Sequence, residues 1–356
     1  MTKEDFLEQL SKQLNHLPQN DYDDIIEHFE EYFDEAGSEN EDVIIEELGE
    51  PQKLAKELLT AMNLPPAEDK DNEADWTNWN LPSTLVKKEF DDVSILDFSL
   101  LNRPIEIKTG NVSRITLTYY QESGDFSPIG YQVVDSTLQI SENQQVKNEK
   151  SLFKLFSLHF LESLKETITV ILPQTQQIIN IKGRQNNGNI KLIDLKVNHV
   201  NLSSLNGIIK LNKIETDQAD LDNKNGAIRL NNCQISQGAI EVKNGIISQT
   251  DSQLTNFIIK NKNGNIRFTG GEVNKADIEN KNGIIKIQDS RLQDQIKIEN
   301  KNGTIKVNLH QDLLPHTRVQ VRNKNGFVHV NENTNTAFPI KAYLLVENKN
   351  GTITVD

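Results

Sequence analysis

Between Gln185 and Asp356, apolar and polar positions recur with a long period marked by the pair Asn-Gly, whose glycines are Gly188, Gly207, Gly226, Gly245, Gly264, Gly283, Gly303, Gly326 and Gly351. The first five intervals are 19 residues, and the last three are 20, 23 and 25. Such spacing is the signature of one repeating unit with insertions in a loop. Two and four positions after the glycine run two lanes, beginning Ile190, Ile209, Ile228 and Leu192, Leu211, Leu230; across all nine units Gln249 is their single polar member. Alternation of period two with β-branched residues predicts a half-buried strand. A second strand ends before the glycine, its inward residues five positions back at Leu202, Leu221, Ile240, Ile259, Ile278, Ile298, Val321 and Val346. The pattern predicts two short strands and two corners per unit.

Asn-Gly suits both a hairpin turn and a solenoid corner, because both need positive φ. Periodicity decides between them. Antiparallel hairpins have no need of one lane of residue types repeating through nine units, whereas stacked coils set like upon like. The predicted fold is mainly β: a β-solenoid of about nine rungs of 19–25 residues with Asn-Gly corners. Asparagines three before the glycine (Asn223, Asn261, Asn280, Asn300, Asn323, Asn348) are expected to form an inward hydrogen-bonding ladder.

Upstream, Phe6, Leu7, Leu10, Leu14 and Leu17 recur at helical spacing until Pro18. A second helix is predicted over about 21–36, and two more follow around the turn Leu48-Gly49-Glu50-Pro51. Residues 1–63 thus read as a small helical domain, and 64–84 as a linker whose Trp76 and Trp79 dock on the body or on a partner. Residues 85–180 contain strand-like runs that lead into and cap the first rung, and 181–356 form the solenoid.

Charge separates these parts. The chain's formal charge is −14, but residues 1–75 hold 5 Lys+Arg and 23 Asp+Glu, net −18, which leaves +4 for the rest. Three positions beyond the glycine stand Lys191, Lys210, Arg229, Ser248, Arg267, Lys286 and Lys306, six cations in seven rungs, and the flanking outward lanes of those rungs hold no acid. Stacked at about 4.8 Å, such charges repel unless an anion answers them. The lane is therefore a candidate binding site for an anionic envelope polymer, an anionic membrane surface or a partner protein, with the acidic N-terminal domain a candidate intramolecular occupant. The lysines two before the glycine stand near acids such as Asp222, Glu241, Glu279, Glu299 and Glu347 and read as a self-compensated face. The most apolar segment, 151–161, offers Phe153, Phe156 and Phe160 either as a membrane or partner contact or as a packed lid.

Catalytic signals are absent from the sequence. No His-Glu-x-x-His, Gly-x-Ser-x-Gly, phosphate loop or glycine-rich calcium nonapeptide occurs, the seven histidines show no metal-ligand spacing, and the single cysteine, Cys233, lacks an internal partner. A polysaccharide-acting enzyme would need paired carboxylates on an exposed lane, which the basic lane lacks. No catalytic residues, metal, cofactor or nucleic-acid partner are expected. The sequence has no signal-like start and no apolar run of about 18 residues, so the default expectation is cytoplasmic, with a cell-surface or membrane-associated location as the alternative.

Thr2-Lys3-Glu4-Asp5-Phe6-Leu7, the acidic stretch from Tyr22 to Glu35, and Glu46-Glu47-Leu48-Gly49-Glu50-Pro51 resemble the HAAS family, short helical domains of Gram-positive bacterial proteins linked to signalling. That family usually precedes membrane-spanning segments, which do not follow here. From about Phe90 onward, Leu101-Asn102-Arg103-Pro104-Ile105-Glu106-Ile107-Lys108, Thr118-Tyr119-Tyr120, Ile168-Thr169-Val170-Ile171-Leu172-Pro173 and the Asn-Gly rungs resemble the β-strand-repeat family of candidate adhesins of unknown function, which includes proteins of the Lia cell-envelope stress response. The resemblance implies a non-catalytic interaction or sensor protein of envelope stress or surface sensing; a cytoplasmic scaffold and a polysaccharide-acting enzyme are the alternatives.

Overall fold

The structure, a computed structural model, describes residues 1–15, 17, 22, 25, 26, 29, 33, 41–61, 83–122, 129–142, 167–174 and 178–356. Trp76, Trp79, Phe153, Phe156 and Phe160 lie outside the described residues, as does most of the predicted acidic helix. The chain divides into two units, the first containing the helical N-terminus and the second the β region.

In the helical unit, Thr2 caps the helix Lys3–Leu14. The Asp5 amide donates to Thr2 Oγ1 and the Thr2 amide to Asp5 Oδ2, each at 3.2 Å, a reciprocal arrangement that satisfies two otherwise orphaned donors. The apolar face Phe6, Leu10 and Leu14 is buried with Ile25, Phe33 and Leu59, and the Phe6 and Phe33 rings meet edge to face at 5.5 Å. Helix Glu41–Leu48 ends at Gly49, whose φ of +75° turns the chain, and Pro51 starts the helix Pro51–Ala61. Proline at a first helical position forfeits no hydrogen bond.

The β unit contains strands β1 (Ser83–Phe90), β2 (Ile95–Leu100), β3 (Ile105–Gly110), β4 (Ile115–Glu122), β5 (Ile129–Val134), β6 (Thr137–Glu142), β7 (Ile168–Pro173), β8 (Asn180–Asn187), β9 (Ile190–Asn231), β10 (Gln234–Thr250), β11 (Gln253–Thr269), β12 (Glu272–Leu309), β13 (Thr317–Asn325), β14 (Val328–Val330) and β15 (Ala342–Val355). From β8 onward the pairs between these strands are parallel and mostly in steps of 19 residues, such as Gly226 with Gly245 and Ile247 with Ile266, which is the stacking of a solenoid.

Each full rung has three corners, where the sequence predicts two. Eight of the nine Asn-Gly glycines, Gly207 to Gly351, have φ between +126° and +143°; Gly188 does not. Six residues later Asp194, Lys213, Asn232, Asp251, Gly270 and Asp289 form a second corner with φ of +49° to +63°, and Asn256, Lys275 and Asp294 mark a third. Asp, Asn and Gly dominate because they visit left-handed backbone most readily. Beyond the second corner runs a short inward face including Val197, Ile214, Cys233, Ile235, Ser252, Leu254, Val273, Ser290 and Leu292, all buried.

Rungs also continue into the region before β8. β2 pairs with β8 and β3 with β9, so residues 95–110 make a rung without Asn-Gly; β6 and β7 pair with β2 and β3 and make another. Antiparallel β1, β4 and β5 adjoin this end. Where the glycine would stand, the buried Glu142 carboxylate holds the chain instead: its Oε2 accepts from the amides of Leu101 and Asn102 at 2.8 Å and of Arg103 at 3.2 Å.

Chain order and spatial order differ at the other end. β15 lies between β12 and β13, so the rung of Gly351 stacks on that of Gly303, and the rung of Gly326 is outermost.

Candidate functional site

The asparagines predicted to bond one another inside the coil are indeed inward, but their donors serve the backbone. Asn223, Asn261, Asn280, Asn300 and Asn348 are buried, and each Nδ2 donates to the glycine carbonyl of the rung below at 2.8–3.0 Å. The side-chain ladder is formed one lane outward, by the asparagine immediately before each glycine. Asn187 Nδ2 donates to Asn102 Oδ1 at 3.0 Å, Asn206 to Asn187 at 2.7 Å, and the relay continues through Asn302, Asn350 and Asn325. Every step points the same way, so the corner column is a polarised chain of amides. Gln249, the single polar member of the apolar lanes, is buried with both ends used: Nε2 donates to Gly270 O at 3.1 Å, and Oε1 accepts from the Ser252 amide at 3.0 Å.

This framework stacks the predicted basic residues in one column, with Arg267 beside Lys286 and Ser248 between Arg229 and Arg267. Their environments are unequal. β3 sets Glu106 beside Lys191, and the carboxylate lies 3.6 Å from Lys191 Nζ, so an acid does answer the first cation. Lys191 and Lys210 are half-buried, and Arg229 is 7% exposed. Ala227, an outward-lane position two before it, is buried too. Arg267, Lys286 and Lys306 are exposed. Above Lys306 the inserted β15 places Thr354, and His329 follows, its Nε2 3.2 Å from Asp356 Oδ1. The exposed column is thus three cations long, and its upper end borders a hollow of about 460 Å³ between Lys286 and Lys306 on one side and Gln288, Asn308 and Asp356 on the other, with Thr354 above.

A second groove, of about 540 Å³, crosses several rungs at the third corner, where Ile258 and Tyr343 are exposed beside Asp277, Lys297, Arg318 and Gln320. The Arg318 guanidinium lies 5.9 Å from the Tyr343 ring centre. On the face predicted to be self-compensated, the described ion pairs of its acids are made not with the lysines two before the glycines but with Lys297, which pairs with Glu299, and Arg322, which pairs with Glu347 at 2.9 Å. Hydrogen bonding to Lys297 holds the Glu299 carboxyl below its usual range, and Glu299 in turn raises Lys297. Asp222 is raised by burial and by Glu241 in the next rung.

Among the described residues no group of three or more His, Cys, Asp or Glu is placed to hold a metal ion. Burial pushes the Cys233 thiol up to about 11, which suppresses the thiolate that nucleophilic chemistry requires. No helix among the described residues is long and apolar enough to cross a membrane.

A family model described as Toastrack DUF4097 matches residues 93–355, and one described as HAAS matches residues 5–57. No curated protein matches the chain. Among solved structures, a candidate adhesin from Bacteroides fragilis is similar at 14% identity over 78% of this chain and 98% of its own, with a TM-score of 0.41. A candidate cell adhesion protein from Clostridium sporogenes is 12% identical over 77% of this chain and 98% of its own, TM-score 0.22. A candidate adhesin from Parabacteroides merdae is 11% identical over 59% and 95%, TM-score 0.33.

Proposed function

Because the chain belongs to the Toastrack DUF4097 family, whose model spans residues 93–355, we propose that its β unit is a non-catalytic binding body that presents the exposed cations Arg267, Lys286 and Lys306 to an anionic polymer of the bacterial envelope. The setting, envelope stress or surface sensing, follows from the sequence resemblance. The observation that carries the reading is the conjunction of three stacked, exposed cations with the adjoining hollow, walled by the amides of Gln288 and Asn308 and, at its far side from the cations, by the single carboxylate of Asp356, which His329 engages. Cations about 4.8 Å apart lie within one Debye length, about 8 Å at physiological salt, so their fields add. Amides beside them supply donors and acceptors for hydroxyl groups, which suits a phosphate-bearing polyol better than a bare anion. The N-terminal residues 1–75, net −18, are the internal competitor in this reading, and neutralising Asp21, Asp23, Asp24 and Glu27 strengthens binding.

The test is sedimentation of the full chain with purified anionic wall polymer, using vesicles of anionic lipid as a parallel arm. Reversing Arg267, Lys286 and Lys306 to Glu removes three exposed contacts of about 0.5–1 kcal/mol each, which is roughly 10- to 100-fold in affinity. High salt abolishes the difference. Equal binding by wild type and triple variant at low salt overturns the assignment.

A further inference from the structure

From the outermost rung, we infer a second interaction site: the free edge of β13 accepts an extended strand from another protein, in which apolar residues alternate with acidic ones. β13 pairs with β15 on one side, and among the described residues no strand pairs with the other; only its first residue, the buried Thr317, is engaged by a loop, its carbonyl accepting from the Asn335 amide at 3.0 Å, so the open row runs from Arg318 onward. The inward lanes end there uncovered. Val319 and Val321 are half-buried, Val328 is 40% exposed, and its neighbour Phe327 is 65% exposed. The corresponding lane members one rung down, Leu344, Val346 and Ile353, are at most 1% exposed. Asn325 Oδ1 stands at the top of a column in which every lower equivalent takes a side-chain amide donor from the rung above, and the Gly326 carbonyl tops a column in which Gly207, Gly245, Gly264, Gly283, Gly303 and Gly351 take one. An added strand therefore meets a preformed row of backbone groups, apolar seats at alternate positions and two oriented acceptors, the elements of strand addition.

Charge selects the occupant. β13 reads Thr-Arg-Val-Gln-Val-Arg-Asn-Lys-Asn, and its outward residues Arg318, Arg322 and Lys324 are exposed with no carboxylate on the strand. A second copy pairing antiparallel about Val321 would set Arg318 against Lys324, and opposed like charges destabilise a cross-strand pair. Lysine and arginine on an edge are the usual defence against self-association; here the same residues make an acidic strand the complementary one. Within the fold Arg322 already pairs with an acid from its covered side, Glu347.

The experiment uses the intact chain and two synthetic nonapeptides of identical composition, one alternating Ile and Glu through an Asn-Gly, the other with the alternation broken by pairing like residues. Fluorescence anisotropy is expected to show the alternating peptide binding at least tenfold more tightly. In the variant Arg318→Glu with Arg322→Glu, preference is expected to invert toward an alternating Ile and Lys peptide. That inversion is a gain that mere destabilisation cannot produce, and it leaves Arg267, Lys286 and Lys306 untouched, so polymer binding persists. Equal affinity for the two Glu peptides, absence of inversion, or concentration-dependent dimerisation that competes with the peptide would each overturn the inference.

Discussion

Replacing Gly264 by alanine tests the corner on which the stack depends. Its φ is +134°, and a Cβ there would stand 1.9 Å from the Gly245 carbonyl oxygen of the rung below. That oxygen also accepts from Asn261 Nδ2 at 2.9 Å. Two effects therefore add: backbone held in a region open essentially to glycine alone, about 1–3 kcal/mol, and a weakened buried hydrogen bond, about 1 kcal/mol. Their sum is about 2–4 kcal/mol. With a urea slope of about 3 kcal/mol per molar, the midpoint falls by about 1 M. The control is Ile284→Thr, outward on the next rung and 44% exposed, where a surface change costs about 0.5 kcal/mol or less. In a stack whose rungs contact only their neighbours, hydrogen exchange should rise first in the rungs around residue 264. Equal midpoints for the two variants, or exchange that rises uniformly, would refute the corner argument.

Glu142→Gln keeps the shape of the side chain but removes the charge that draws three amides; hydrogen bonds to charged groups contribute about 1.5–3 kcal/mol, so a thermal midpoint well below wild type and faster exchange at Leu101, Asn102 and Arg103 are expected, and unchanged exchange there would show the carboxylate to be dispensable. For Cys233 the folded thiol titrates near 11 against an ordinary 9.0, so the buried neutral thiol's contribution is complete below pH 9 and is lost as pH rises toward 11. At about 1.4 kcal/mol per unit this amounts to about 2–3 kcal/mol; Cys233→Ala should therefore lose less stability than wild type between neutral pH and pH 11, and parallel loss in both would exclude the thiol as the cause.

The repeat was legible because one residue pair marked one corner and two apolar lanes flanked it. The third inward face was not: between two corners it carries Cys233, Ser252, Thr216 and Ser290 among its aliphatics, a mixture without apolar alternation. The rungs before β8 were hidden for a related reason, since Glu142 does with a carboxylate what Asn-Gly does elsewhere. As for the candidate site, the column of cations followed directly from period and parity. Its accessibility did not, because Glu106 comes from a strand outside the period and the burial of Arg229 depends on tertiary surroundings.

The order of the last rungs was illegible on different grounds, and energetics explain which rung ends outermost. Rungs that share lanes are interchangeable to a reader of spacing, so intervals of 20, 23 and 25 residues fit either arrangement. The inner rung buries Leu344, Val346, Ile353 and Val355 between two neighbours, while the outer one offers Val319, Val321, Val328 and Val330 to a single neighbour. Two of those four positions are larger by a methylene on the inner rung, about 0.8 kcal/mol each when fully buried. Exchanging the rungs would leave the larger apolar side chains at the end and draw Arg318 and Arg322 between two strands in place of Tyr343 and Glu347, where the columns above and below would have to answer them. Keeping the two arginines on the rim and leucine and isoleucine within is the lower-energy order, and the same preference leaves β13 with an edge that repels its own kind.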